Sequence, residues 1–474
     1  MTQSPIEPHS HETDAFVTAS NATEARKTSL CFALFCVVQA ILIFTITFIT
    51  IPLPEIGREF SLSPSGMLAV LAAYGLPYSG LLLFGGRLSD RFTGQRLFLF
   101  GLAVFGIASA MGVFVIGFEM LVAIRFLQGV GAAAVAPAAV AVLRHLYPDH
   151  NRFGRAMAVW GSVSVLGATL GFLSGALTYW ISWRLLFAIP GLVAALAILL
   201  SANLMPTARS ESEKRKGALD VPGAVAATLG ISLFSLGVIS SGVYGWNSFF
   251  VTGSLAFGIV TLFVFFQIER RTADPLLPPK FLLQGSRVFG LLGMFLAASS
   301  SGLIKFVTSL YLQGTLNWSP LETAAGFLPY AVVLVAMSFF GATFVGRFGA
   351  LATTGAGLLL MAIGFFLLRD LTAQSVYLID ILPGQLIVAV GSSLSFAGSA
   401  VLSTATSSQG EAGLAGGVMN TAMELGPTTG LALFMAVAAT KLDPVSGYGA
   451  AFSAAALTFA VVGLVGYLSL SRRT

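Results

Sequence analysis

The sequence has few charged residues, few histidines and only two cysteines among its 474 positions. Charged side chains make up 9% of the chain, against about 25% in an ordinary soluble domain, so a soluble core of this size is excluded. Cys31 and Cys36 lie five positions apart in the first apolar stretch, where a helix turns them away from each other. The chain therefore offers no disulfide or metal framework.

Residues for enzymatic chemistry are also missing. The four histidines lie in the N-terminal tail or in one loop (His9, His11, His145, His150), and no Ser-His-Asp, Cys-His or paired-carboxylate set shares a common place. The phosphate-binding pattern Gly-x-x-x-x-Gly-Lys-Ser/Thr is absent, which excludes ATP hydrolysis by this chain. We therefore expect no enzyme, no metal and no cofactor, and energy for any active process from a proton gradient.

The chain is rich instead in apolar stretches of membrane-spanning length, and hydrophobic residues make up 56% of it. A helix of ~20 residues crosses the ~30 Å hydrocarbon core of a bilayer. Fourteen such stretches are predicted, near residues 30–52, 66–86, 97–117, 119–143, 156–178, 185–205, 221–241, 249–268, 288–312, 323–345, 350–368, 375–400, 412–438 and 447–470. The predicted fold class is an all-α polytopic membrane protein with 14 transmembrane helices.

The positions of Lys and Arg predict the orientation of these spans. Four of the cations lie in gaps after odd-numbered spans, whereas nineteen lie in gaps after even-numbered spans and at the two ends. Under the positive-inside rule both termini are cytoplasmic, which requires an even number of spans. The net charge of +5 follows from this asymmetry and predicts no nucleic-acid partner. The polar residues 1–27 are predicted to form a disordered cytoplasmic tail.

Two parts of the chain repeat each other at an offset of 259 residues. The segments from position 154 and from position 413 share six identities, among them Gly167 with Gly426. Span 13 is therefore a copy of span 5, and we predict two six-helix halves related by a pseudo-twofold axis, with an inserted two-helix hairpin between them. The predicted tail, N-terminal half, cytoplasmic linker with hairpin, and C-terminal half occupy residues 1–27, 28–206, 207–286 and 287–474.

Two motifs make the chain resemble the major facilitator superfamily. The run GGRLSDRFTGQR from Gly85 to Arg96 is similar to the motif that follows the second span in that superfamily, and RFLQGVG from Arg125 to Gly131 is similar to its fourth-helix motif. With fourteen spans and the Tyr-Leu-Gln pattern at Tyr311, the chain resembles the fourteen-span drug:proton antiporter group. The resemblance implies a substrate site between the halves near the midplane.

The resemblance also implies a conformational latch on the cytoplasmic side. Gly86 would permit close helix approach, and Asp90 would accept from the N-terminus of span 13, where the helix dipole favours a carboxylate. Arg91 and Arg96 would complete a charge cluster that holds the outward-open state. The alternative is an ordinary positively charged loop.

Two positions differ from the antiporter group. The Gly-Pro pair of its fifth helix is Gly167-Ala168 here, and Thr45 stands where its members commonly carry Asp. A proton or cation site at position 45 is therefore not expected. The glycine spacing of span 5 is kept and predicts close helix packing, at Gly161, Gly167, Gly171 and Gly175.

Four ionisable residues lie within predicted spans, away from the cytoplasmic ends: Arg125, Lys305, Asp380 and Glu424. Such residues are costly in a bilayer and typically mark a substrate or proton path. Glu424 lies ~20 Å along its helix from Glu411, near mid-membrane, where desolvation favours a neutral carboxyl. It is the first candidate for proton coupling, and Arg125 and Asp380 are further candidates.

Asp380 and Lys305 are predicted at equal depth, where they would form an ion pair with a substrate or gating role. A purely structural pair is the alternative for both, and Glu424 could equally be a structural partner of the latch. For Arg125 the alternative is capping of backbone carbonyls. Weaker uncharged candidates for the substrate cavity are Gln39, Phe44, Phe48, Tyr74, Tyr78, Tyr311, Phe396 and Asn420.

These patterns predict a proton-coupled exporter of hydrophobic or amphipathic small molecules, such as drugs, antibiotics or secondary metabolites. It would act by alternating access as a monomer in the bacterial cytoplasmic (inner) membrane, with the substrate, protons and the lipid bilayer as partners. One alternative is an exporter or permease of an anionic metabolite. Another is a non-transporting membrane receptor or lipid-handling protein on the same fold.

Overall fold

The computed structural model describes residues 10–91, 94–147, 149–205, 220–272, 277, 284–404 and 412–471. These residues form sixteen α-helices, which we number in chain order. Their bounds are α1 Ser10–Thr47, α2 Leu53–Glu59, α3 Pro64–Arg91, α4 Gly94–Gly112, α5 Phe118–Leu146, α6 His150–Ser174, α7 Ala188–Leu204, α8 Val221–Tyr244, α9 Phe249–Arg271, α10 Gly285–Gly314, α11 Pro320–Phe348, α12 Ala350–Leu367, α13 Leu382–Thr404, α14 Ala412–Leu425, α15 Leu431–Ala438 and α16 Pro444–Ser471.

Shorter helical turns extend or join several of these helices. Gly175–Tyr179 and Trp183–Phe187 are 3₁₀ turns on either side of the bend between α6 and α7. Tyr377–Ile381 is a π-helical turn that opens α13, and Gly426–Gly430 is a π-helical turn between α14 and α15. Turns of the π type inside helices are frequent at functional sites.

Twelve helical segments of the described chain are long and apolar enough to cross a membrane. They coincide with twelve of the fourteen predicted spans. At the fifth predicted span only Leu166–Tyr179 is recognised, as a shorter apolar helix, and the thirteenth is divided by the π-helical turn between α14 and α15. An all-helical membrane fold is therefore confirmed, and the count of fourteen stays a prediction.

Helix α1 begins at Ser10 and continues without a break into the first membrane span. The disorder of the tail over residues 1–27 stays a prediction. Residues 1–9 lie outside the described part of the chain.

Local sequence sets the ends of α11. The Ser319 hydroxyl accepts from the backbone N–H of Glu322, and the Glu322 carboxylate accepts from the backbone N–H of Ser319 at 2.8 Å. This capping box satisfies two donors that the first helical turn leaves free. Gly349, with a φ of 81°, ends α11 and lets the chain turn directly into α12.

The same helix pairs pack in both parts of the chain. In the first part α1 packs on α6, α5 packs on α3 and α4, and α4 packs on α7. In the second part α10 packs on α14 and the following π-helical turn, α13 packs on α11 and α12, and α12 packs on α16. Each pair in the first part corresponds to a pair in the second part under the 259-residue offset.

Glycines allow the close contact of the fifth span with the first. A Cβ at Gly167 would lie 2.4 Å from the carbonyl oxygen of Ala40, and one at Gly171 would lie 2.5 Å from that of Phe44. Gly175 is equally tight against Ile51. The packing predicted from the glycine spacing is therefore confirmed at these three positions, and the surroundings of Gly161 lie outside the described side chains.

The hairpin of α8 and α9 packs on the side of the bundle where the two halves meet. Helix α8 contacts α3 and α15. The Thr228 hydroxyl donates to the carbonyl of Gly80 on α3 at 2.7 Å, and Ser235 hydrogen-bonds Thr429 in the π-helical turn. Helix α8 therefore bridges both halves, whereas most of α9 faces outward.

Three loops of the first half meet at one end of the bundle, which we call the distal end. The Arg184 guanidinium forms a short ion pair with Glu59, and its Nε donates to the carbonyl of Val115 at 2.7 Å. The loops that follow α1, α4 and α6 are joined in this way. Both Glu59 oxygens are engaged, because Trp183 also donates from its indole nitrogen at 2.9 Å.

The two halves also touch at the distal end. Gln313 Nε2 donates to the carbonyl of Ile51 at 2.8 Å, and the Ser309 hydroxyl lies 3.5 Å from the carbonyl of Thr50. Thr50 and Ser309 are separated by 259 residues, the offset of the repeat. This contact therefore joins two positions that correspond to each other in the sequence repeat.

Candidate functional site

Small residues on α5 position Arg125 at a tight seam. A Cβ at Gly129 would lie 2.3 Å from the carbonyl of Tyr74 on α3, and one at Gly131 would lie 2.6 Å from the carbonyl of Gly101 on α4. The fourth-helix motif thus places α5 between α3 and α4, with Arg125 one turn away from the α3 contact.

Arg125 is fully buried and binds backbone and aromatic groups. Its Nη1 donates to the carbonyl of Thr45 on α1 at 2.6 Å, and its guanidinium lies 4.7 Å from the centroid of the Tyr74 ring. Nη2 has no hydrogen-bond partner among the residues that the structure describes. This geometry favours the backbone-capping alternative, and a role of Arg125 in proton transfer stays a prediction.

Glu424 lies in the last turn of α14, immediately before the π-helical turn, and is only 9% exposed. Its carboxyl is within electrostatic range of Tyr74 and Tyr78 on α3, in the other half of the molecule. The described part of the chain contains two ion pairs, Glu59 with Arg184 and Arg369 with Asp370, and neither involves Glu424. An acidic side chain thus lies buried between the two halves.

Tyr74 and Tyr78 connect Glu424 to the first half. The Tyr74 hydroxyl donates to the carbonyl of Leu42 on α1 at 3.0 Å, and the amide of Gln39 faces Tyr78 while donating to the Ser164 hydroxyl at 3.1 Å. The structure therefore brings together five of the predicted residues. We call this group the central polar cluster: Gln39, Tyr74, Tyr78, Arg125 and Glu424.

The seam beside the cluster is closely packed. A Cβ at Gly75 of α3 would lie 2.0 Å from the methyl group of Thr428, and Gly302 of α10 packs on Pro427. The π-helical turn is therefore held between the first half and α10, directly after Glu424. Thr428 of this turn points its methyl group at Gly75 of α3.

Lys305 lies in the middle of α10 and is half-buried. It precedes Ser309 by one helical turn, so it shares the face of α10 on which the halves meet at the distal end. No carboxylate in the described part of the chain pairs with it.

The predicted ion pair of Asp380 with Lys305 is wrong. Asp380 is exposed and lies in the π-helical turn at the start of its span, where its carboxylate accepts from the backbone N–H of Val376 at 2.6 Å. The span begins later than the apolar pattern indicates, so Asp380 caps a helix start instead of lying deep in the bundle. Its predicted roles in coupling and substrate binding lose their geometric basis.

Three aromatic candidates take part in packing. Phe44 stacks on Phe48, and Phe48 is fully buried beside the Arg125 guanidinium and the Phe187 ring. Tyr311 is also fully buried, and its hydroxyl donates to the carbonyl of Thr372 in a distal loop. These rings are not open to a cavity in this conformation. Two further candidates, Phe396 and Asn420, are half-buried on α13 and α14.

The latch motif is described only in part. A Cβ at Gly85 would lie 2.2 Å from the carbonyl of Ala133, so α3 approaches α5 closely there, whereas one at Gly86 would meet no described atom within 4 Å. The predicted partner of Gly86, the start of span 13, lies outside the described side chains, so a close approach at Gly86 stays a prediction. Arg96 is exposed at the start of α4. The side chains of Asp90 and Arg91 lie outside the described part, so their pairing stays a prediction.

Sequence reasoning missed the ion pair at the distal end. Hydrogen bonds from Arg184 and Trp183 hold the pKa of Glu59 below its ordinary value. Arg184 is one of only four cations in the odd-numbered gaps, and this exception to the charge asymmetry was the available signal.

Comparison with known proteins identifies the family to which this chain belongs. A sequence model described as Major Facilitator Superfamily matches residues 33–271, about half of the chain. The cephamycin export protein CmcT of Amycolatopsis lactamdurans is 33% identical over 447 residues, which cover 92% of this chain and 91% of that protein. The chain belongs to the major facilitator superfamily.

Other relatives within the major facilitator superfamily cover nearly the whole chain. The puromycin resistance protein pur8 of Streptomyces alboniger is 33% identical and covers 92% of this chain and 90% of its own length. The lincomycin resistance protein of Streptomyces lincolnensis is 29% identical, with coverage of 88% and 86%. The predicted family is therefore confirmed.

Solved structures agree on the fold. A bacterial homolog of the human lysosomal transporter Spinster, in an inward-facing and unoccupied conformation, superposes with a TM-score of 0.65 at 16% identity and covers 94% of this chain and 97% of its own. The peptide transporter POT in complex with sulfate gives 0.65 at 16% identity, with 94% of both chains covered. At these identities the likeness shows the major facilitator fold alone.

Proposed function

We propose that this protein exports hydrophobic or amphipathic small molecules, antibiotics among them, in exchange for protons. Export and resistance proteins for cephamycin, puromycin and lincomycin are similar over most of the chain, which supports antibiotic efflux. The proposal contains no catalytic step and no cofactor, and it treats the chain as a monomer in the bacterial inner membrane.

The proposed architecture is two six-helix halves with the α8–α9 hairpin inserted between them, fourteen spans in all. The repeated helix pairs and the contact between Thr50 and Ser309 support the two halves. The cation asymmetry supports cytoplasmic termini. In that orientation the distal end is the outer face, and its closure by Gln313 and Ile51 corresponds to an inward-facing state.

One observation carries the coupling proposal: Glu424 is a carboxyl buried between the halves without a described cationic partner. A charged carboxylate is costly there, so closing the halves around it favours its protonated form. Deprotonation then favours the orientation in which water reaches the seam. Protons can drive the transport cycle only because the two orientations differ in the affinity of Glu424 for a proton.

Coupling is testable in a drug-sensitised bacterial host. Expression should raise resistance to several lipophilic antibiotics, and an uncoupler should restore drug accumulation. Glu424→Gln should abolish the resistance at normal expression, whereas Glu119→Gln, a matched change at an exposed carboxyl at the distal end of α5, should keep it. Unchanged accumulation for every antibiotic tested would contradict export and favour a non-transporting role.

A further inference from the structure

Lys305 is the cation between the halves that the coupling proposal does not use. It lies one turn from Ser309 on the face of α10 where the second half touches the first. It is half-buried in the middle of a membrane helix of 30 residues. An ammonium at this depth is costly unless it is paired, hydrated or neutralised.

The carboxylates described on the helices of the second half have other positions or partners. Asp380 accepts from the backbone at the start of its span, Glu322 caps α11, and Glu424 lies beside the two tyrosines of α3. None of them forms an ion pair with Lys305. The protein as described therefore supplies no anion for this ammonium.

The fold does not require a cation at this position. Under the 259-residue offset, Lys305 corresponds to Ile46 of α1, a half-buried apolar residue that contacts the hydrophobic core. The same architectural position is therefore filled by a hydrocarbon side chain in one half and by an ammonium in the other.

Polar and aromatic groups lie near the turn of α10 that precedes Lys305. Ser301 lies one turn before Lys305 on α10 and faces the hydroxyl of Tyr330 on α11. That hydroxyl is buried and makes no hydrogen bond of ordinary geometry with the described residues. One turn away on α11, Phe327 contacts Phe172 of the first half with ring centroids 4.7 Å apart.

We propose that Lys305 binds the acidic group of the substrate, and that the natural substrates are lipophilic organic acids with a carboxylate on an aromatic or polycyclic body. The ammonium would form a charge-assisted hydrogen bond with the carboxylate, and Tyr330 would donate to its second oxygen. The apolar body would lie against Phe327 and its neighbours. This inference rests on the proposed export function for its physiological meaning, but the binding event requires no proton gradient.

Binding to the purified full-length protein tests the inference with a matched pair of probes. Naphthaleneacetic acid is an anion at neutral pH, and naphthaleneacetamide has the same ring system without charge. The wild type should bind the acid roughly tenfold to hundredfold more tightly than the amide, the range expected for a hydrogen bond to a charged group. Lys305→Met should remove this preference, and Lys305→Arg should retain most of it.

Lys441→Met provides the matched control, because Lys441 is an exposed lysine in the distal loop before α16, and it should bind like the wild type. Equal affinity for acid and amide in the wild type, no binding of the acid, or a preference that survives in Lys305→Met would each overturn the proposal. Failure of the export proposal would look different: acid binding would depend on Lys305, yet vesicles would show no proton-driven flux of any probe.

Discussion

Substitution of Gly75 by Ala places a methyl group into the seam between α3 and the π-helical turn. The new Cβ would lie 2.0 Å from the Thr428 methyl carbon. Carbon atoms pack at about 3.5–4.0 Å, so the seam must open by about 1.5 Å or the Thr428 side chain must leave its packed rotamer. Such overpacking costs about 1–3 kcal/mol, which shifts a two-state equilibrium about 5- to 150-fold. We predict that Gly75→Ala depopulates the described conformation by such a factor.

Thr428→Ala should rescue Gly75→Ala, because it removes the clashing methyl carbon and leaves the Cβ of residue 428 at 3.5 Å, an ordinary contact. Gly253→Ala is the matched control on α9, where an added Cβ meets no described atom within 4 Å. This double-mutant comparison isolates the contact from the general effect of removing a glycine from a helix.

Spin labels at the distal end provide the assay. Tyr179 and Leu321 are exposed there, one on each half, and Cys31 and Cys36 are buried. The distribution of distances between labels at positions 179 and 321 should contain a short-distance population in the wild type. This population should shrink in Gly75→Ala and recover in the Gly75→Ala/Thr428→Ala double variant. An unchanged distribution in Gly75→Ala, or no recovery in the double variant, would refute the described seam.

Three further predictions follow from other contacts. Gly85→Ala should lower stability by about 1–3 kcal/mol through a clash with α5, whereas Gly86→Ala should be tolerated in this conformation; equal effects in a thermal-shift assay would contradict the described packing of Gly85 on α5. At neutral pH Glu59→Gln should unfold at a lower temperature than the wild type. Because Arg184 holds the pKa of Glu59 below its ordinary value, this stabilisation should vanish as the pH falls through the lowered pKa; a difference that persists in acid would refute it. Arg125→Met should cost about 1.5–3 kcal/mol, since it removes the hydrogen bond from a charged donor to the α1 backbone; an unchanged unfolding temperature would show that this bond contributes nothing.

The sequence alone predicts the helices well, because span length and apolar composition are local properties. Helix starts are less visible. Asp380 was predicted within its span at the depth of Lys305 because the apolar run begins before it, yet it lies in the first π-helical turn. Which of two adjacent glycines meets a neighbour depends on helix rotation, about 100° per residue, and the motif spacing alone could not separate Gly85 from Gly86.

The sequence predicted individual residues of the site but not which of them lie together in the fold. The depth of Glu424 follows from its position along an apolar helix, so sequence reasoning reached it. Its proximity to Tyr74 and Tyr78 depends on how two distant helices pack, which no local pattern encodes. The hydrogen bond from Arg125 to the carbonyl of Thr45 was out of reach for the same reason, since backbone acceptors carry no sequence signal.

The central claim is that Glu424 carries the coupling proton. The most direct test measures antibiotic exchange and antibiotic accumulation by the Glu424→Gln variant reconstituted in vesicles. In vesicles with equal pH on both sides, the variant should still exchange labelled for unlabelled antibiotic, because a neutral amide mimics the protonated carboxyl. With an imposed pH gradient it should accumulate none above equilibrium, whereas Glu119→Gln should accumulate antibiotic like the wild type. Gradient-driven accumulation by Glu424→Gln at the wild-type level would contradict the account and place the proton site elsewhere.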